Sequence, residues 1–174
     1  YILIVLFLIF ITYIFQKDNY YLNHVPDGIE ITKIIYTNED SWGFGPGGNE
    51  SGIFVYEISD NTSKTIQKLG VDYFSTLPSK RHSNGDWQGV YDNWHETPIS
   101  ERGWLKDYNN DANTIPSIGN YLNQYGFGIP IEKQEIVYII NDAVSKNKSF
   151  YSFGRIGVFI IIPEKNKAVY AYAG

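Results

Sequence analysis

The chain has 174 residues, 43% of them hydrophobic, with 14 basic and 19 acidic side chains and a net charge of −5. With no cysteine and no methionine, disulfide scaffolds, iron–sulfur clusters, Cys-type zinc sites and cysteine nucleophiles are excluded. The acidic balance, in which Lys80-Arg81-His82 is the strongest basic run, argues against a nucleic-acid partner, because phosphate binding needs a positive footprint.

The hydrophobicity is unevenly spread. Residues 1–15 hold fourteen apolar side chains and one threonine, and all 33 charged residues lie beyond them. Without that segment the apolar share falls to about 38%, ordinary for a globular domain. A run of fifteen residues without a charge predicts a transmembrane signal anchor over residues 1–16, N-terminally incomplete because the first residue is not methionine. No small-x-small cleavage site follows, and Tyr20 and Tyr21 suit an interfacial aromatic belt. The expected placement is a single pass in a bacterial cytoplasmic (inner) membrane, with the domain on the extracytoplasmic side. Residues 17–28, punctuated by Pro26 and Gly28, then read as a linker, and residues 29–174 as one globular domain.

Within that domain, residues 29–37 and 52–59 are rich in β-branched and aromatic side chains and predict two strands. Residues 60–69 predict a helix capped by Ser59 or Asp60 and stopped by Gly70 as its left-handed residue. Residues 71–74 read as a short strand. The stretch 75–113 has no clean period and holds three of the four tryptophans. A second helix is predicted over 115–125, capped by Thr114 with Pro116 in its first turn. A third is predicted over 131–146, where Ile136, Ile140 and Val144 recur every four residues. Residues 150–153, 156–162 and 168–173 then read as strands, the last two joined by a turn at 163–167. Strands are bunched at both ends and do not alternate with helices. The pattern predicts an α+β fold: an N-terminal transmembrane anchor helix, then one domain with a mostly antiparallel sheet and about three helices.

Three stretches carry candidate chemistry. The first runs from Trp42 through Gly43, Phe44, Gly45, Gly47, Gly48 and Asn49, between two predicted strands. Its glycines permit backbone geometries closed to other residues, but the Gly-Lys-Ser/Thr ending of a P-loop is missing and no helix follows. It reads as a long hairpin loop whose aromatics either tuck back onto the sheet or form a protein-binding tip. The second holds Asp86, Trp87, Asp92, Trp94, His95 and Glu96. Its acids and histidine could meet as an acid–base pair beside a tryptophan platform, or line a surface loop anchored by buried tryptophans. The third places oxygen ligands at Asp107, Asn109, Asp111 and Asn113, like the start of a calcium loop. Ala112 stands where the sharp turn needs glycine, and Ile118 where the bidentate glutamate belongs. A polar turn is therefore the expected reading, and no metal or cofactor is expected.

The sequence thus reads as a membrane-tethered, extracytoplasmic interaction module with a protein partner, of the immunity or envelope-complex type. Trp42–Asn49 would be its contact surface, helped by Trp87 and Trp94. Two alternatives stand beside it. One is an envelope hydrolase acting on a glycan, with Asp86, Asp92, His95 or Glu96 as catalytic groups. The other is a structural spacer without activity.

Overall fold

A computed structural model of the chain describes residues 2–42, 50–78, 89–101, 103–105, 115–126 and 128–174, with residues 7–15 described by their backbone alone. In chain order the elements are α1 (Ile2–Leu22), β1 (Ile31–Ser41), β2 (Glu50–Ile58), α2 (Asp60–Leu69), α3 (Asp72–Ser75), β3 (His95–Glu96), α4 (Ile118–Leu122), α5 (Gln134–Ser145), β4 (Phe150–Phe153), β5 (Gly157–Ile162), a 3-10 turn (Pro163–Lys165) and β6 (Lys167–Ala173).

The six strands of the described residues form one sheet in the order β1-β2-β6-β5-β4-β3, and every neighbouring pair is antiparallel. The antiparallel sheet is as expected, but after α1 the described residues hold four helices and a 3-10 turn where about three helices were expected, and the transmembrane part is corrected. Among the described residues no helix is long and apolar enough to cross a membrane. The apolar run of α1 ends at Phe15 and is followed by Gln16-Lys17-Asp18-Asn19. The single pass, the cytoplasmic-membrane placement and the extracytoplasmic side all rested on that anchor and are withdrawn with it.

The expected linker is also helical in its first part, since α1 runs on to Leu22. Its end is packed into the domain. Tyr21, His24, Val25 and Ile29 are buried. The Tyr21 ring meets Phe54 edge-on at 4.7 Å, Tyr56 Oη donates to the Tyr21 carbonyl at 2.7 Å, and Tyr91 Oη donates to that of His24 at 3.1 Å. These carbonyls belong to the last turn of a helix and the residues just after it, where backbone acceptors lack intrahelical donors.

Side chains alternate across each strand, so the sheet has two faces, and both are covered. One is mainly aliphatic: Ile53, Val55, Val158, Ile160 and Val169 pack with α4, α5 and Trp104, whose indole stacks on Tyr121 at 4.6 Å. The other is aromatic: Phe54, Tyr56, Phe159, Tyr170 and Tyr172 pack with the end of α1, Ile66 of α2 and Phe74 of α3. Burial on both sides explains why β5 reads as an unbroken apolar run and is buried at all six positions.

Local chemistry sets both ends of α2. Ser59 Oγ accepts the amide of Thr62 at 3.2 Å, and Gly70, at φ 59°, ends α2 by donating to Ile66. Around 115–125 the helix is shorter than expected and begins later. Ser117 accepts the amide of Asn120, and Asn141 of α5 accepts that of Ile118 at 2.9 Å; the expected cap Thr114 lies outside the described residues. A side chain from another helix thus completes the cap. Residues 71–74 do not form a strand: Asp72–Ser75 make a single helical turn that buries Phe74. Phe74 lies flat against Trp94 at 3.9 Å and near Phe150 at 5.4 Å, so its place is fixed by tertiary stacking.

Candidate functional site

The predicted glycine loop lies at the end of the β1–β2 hairpin. Residues 43–49 are outside the described residues, so Gly43, Phe44, Gly45, Gly47, Gly48 and Asn49 are not placed. Trp42 is placed: it is half-buried and packs back against the aliphatic face. Trp94 packs on the aromatic face, stacked on Phe74. The two tryptophans therefore serve opposite faces of the sheet and do not converge. Trp87 and Asp86 lie outside the described residues.

The acid–base candidates do not come together either. His95 and Glu96 are the two residues of β3, opposite Tyr151 and Phe150 of β4. Successive strand residues point to opposite faces, so the imidazole and the carboxylate are directed apart. His95 lies 5.6 Å from the Tyr151 ring, whereas Glu96 Oε1 accepts the Lys148 amide at 2.8 Å. Asp92 is exposed. Among the described residues no group of three or more His, Asp or Glu side chains is arranged to hold a metal ion. Asp107, Asn109, Asp111 and Asn113 lie outside the described residues.

What the hairpin does build is an acidic cleft of about 260 Å³ at the base of the loop, lined by Tyr20, Glu39, Asp40, Ser41, Glu50 and Tyr172. At its centre Glu39 Oε2 accepts two phenol hydroxyls, from Tyr20 at 3.1 Å and from Tyr172 at 3.0 Å. Asp40 Oδ1 accepts the amide of Ser41 at 2.8 Å. Among the described residues no ion pair reaches Glu39, Asp40 or Glu50. The carboxylate acts on both phenols. Burial first, then the negative charge of Glu39, pushes the Tyr20 phenol up to about 12. The same two causes, in the same order, push Tyr172 far above the ordinary phenol range.

Strand register makes the Tyr172–Glu39 bond possible. Glu39 stands opposite Gly52, Gly52 opposite Tyr172, and Tyr172 opposite Gly157, so the four form one row across β1, β2, β6 and β5. Glu39 and Tyr172 are separated by the whole width of β2. The phenol ring crosses that strand over Gly52, where a Cβ would stand 2.2 Å from the ring. Glycine at this position is required for steric room within a strand, a different role from loop freedom.

Sequence reading located the hairpin end but missed Tyr20, Glu39, Gly52 and Tyr172 as a unit. Glu39 and Tyr172 are 133 positions apart, and no local pattern joins them before the strands are in register. Comparison of the chain with protein-family models, with curated proteins and with solved structures finds no match, which leaves the geometry of the cleft to carry the functional reading.

Proposed function

We propose that the protein is an interaction module that receives a cationic segment of a partner protein, a lysine- or arginine-bearing strand or loop, at the acidic cleft of the β1–β2 hairpin. The observation that carries this reading is Glu39. Its Oε2 is held by two tyrosine hydroxyls, so the carboxylate is pre-oriented, and Asp40 and Glu50 add charge beside it. A guanidinium or ammonium group entering there would meet carboxylates that no basic side chain of the described residues already neutralises. Pre-orientation lowers the ordering cost of binding. The chain's net charge of −5 would speed the approach of a basic partner. The glycan-hydrolase alternative gains no such support, because Asp92, His95 and Glu96 line none of the clefts described here.

The test uses a fluorescent arginine-rich peptide and its glutamate-substituted counterpart in anisotropy titrations. Binding of the basic peptide alone, weakening with added salt, is expected. The triple substitution Glu39→Gln, Asp40→Asn, Glu50→Gln is expected to weaken it by about tenfold or more. Equal affinity in wild type and triple variant would remove the cleft from the account.

A further inference from the structure

At the other end of β6 lies a second and larger concavity, a groove of about 520 Å³ between α5 and the turn joining β5 to β6. Lys167, which lines it, and Tyr172, which lines the acidic cleft, are five residues apart along β6, or about 17 Å. The floor of the groove is apolar, formed by Ile139, Ala143 and Ile162. Tyr138 lines it from α5 and is 72% exposed.

The charges of the groove are sorted by wall. Glu135 and Asp142 are on α5, whereas Lys165 and Lys167 are on the opposite wall. The minority charge on each wall is already engaged: Lys146 pairs with Asp142 at 2.5 Å, and Glu164 lies 3.8 Å from Lys148. Glu135 remains on one wall and Lys165 with Lys167 on the other, none of them in an ion pair among the described residues.

A surface with unpaired negative charge on one side of an apolar floor and unpaired positive charge on the other is complementary to itself under a two-fold rotation. We propose that two copies of the chain associate through this groove about a two-fold axis. Glu135 of each copy then meets Lys165 and Lys167 of the other. Tyr138 of each copy enters the other's groove over Ile139 and Ile162, giving an aromatic centre ringed by charge. Both acidic clefts stay open in such a dimer, so this inference does not depend on the proposed function.

Sedimentation velocity of the full chain at low salt, across a concentration series, tests the proposal. A concentration-dependent monomer–dimer equilibrium is expected, and Tyr138→Ala is expected to raise its dissociation constant about tenfold or more. Glu135→Lys and the double variant Lys165→Glu/Lys167→Glu are each expected to be monomeric, with unchanged circular dichroism. Mixing these two variants is expected to restore the dimer, since both crossings are again complementary, which a folding lesion could not do. A wild type that stays monomeric throughout overturns the proposal. So does a dimer indifferent to all three variants, or a mixture that does not reassociate.

Discussion

On one face of the sheet, Ile53, Val55, Val158, Ile160 and Val169 meet the regular helices α4 and α5. On the other, Phe54, Tyr56, Phe159, Tyr170 and Tyr172 meet a more mixed cover: the end of α1, Ile66 of α2, the single turn α3 and connecting segments. Aliphatic side chains need only contact, so an amphipathic helix with its apolar stripe inward is a sufficient lid. Tyrosines bring hydroxyls that must find acceptors when buried. On the aromatic face those acceptors are carbonyls near the end of α1, for Tyr56 and Tyr91, and the Glu39 carboxylate, for Tyr20 and Tyr172. The Tyr56 and Tyr20 bonds tie the end of α1 to β2 and β1, and the Tyr172 bond ties β6 to β1 across β2. The acidic cleft arises where the last of these acceptors lies at the sheet's end, with solvent beyond it.

The largest way to break this difference is alkali. Tyr56, Tyr91, Tyr170 and Tyr172 on the aromatic face are all held above the ordinary phenol range, chiefly by burial. A phenol whose folded value is raised stabilises the fold fully below its unfolded value of about 10, and that contribution is lost as pH rises through the folded value. Stability is therefore expected to be flat across neutral pH, to fall from about pH 10 upward, and to collapse past about pH 12. The last part of the tyrosinate absorbance should appear together with the loss of far-ultraviolet circular dichroism; complete ionisation without unfolding would show that these phenols are not buried as described.

Next in size is Phe159→Ala. Phe159 is fully buried and touches the rings of Tyr56, Tyr91 and Trp94. Its loss is expected to cost about 3–5 kcal/mol in urea unfolding, against about 1 kcal/mol for Ile160→Val on the aliphatic face. Similar small costs for both would mean that the aromatic cover collapses easily onto a smaller side chain. The mildest change is Gly52→Ala. The added methyl meets the Tyr172 ring, so a cost of about 1–3 kcal/mol is expected, with loss of the Tyr172–Glu39 bond and weaker binding of the arginine-rich peptide. Unchanged stability and binding would show that the ring's crossing over Gly52 does not position Glu39.

Several elements could be read from residues alone because their causes lie within a few positions. Ser59 and Gly70 bracket α2 by capping and by a left-handed stop, and Ile136, Ile140 and Val144 mark the buried stripe of α5. Bunching of strands at both ends of the chain indicated an antiparallel α+β sheet. The misreadings came where the deciding partner is distant. The turn Asp72–Ser75 places Phe74 stacked on Trp94 and tilted against Phe150, and α4 begins at Ile118 with help from Asn141. Residues 17–22 looked like the start of a linker because nothing local announces that Tyr21 will be received by Phe54 and Tyr56.

By itself, then, the sequence determined what short-range chemistry can determine: the caps, the helical and strand periods, the absence of thiol chemistry, and a hairpin end worth inspecting. The tertiary structure alone decided the strand order, in which β6 enters between β2 and β5, and with it the row that joins Glu39, Gly52 and Tyr172. The reason is physical. Hydrogen bonding between strands does not care about separation along the chain, so a tyrosine near the end of the sequence can be held a strand's width from a glutamate near its beginning. That proximity becomes visible only when the register is set.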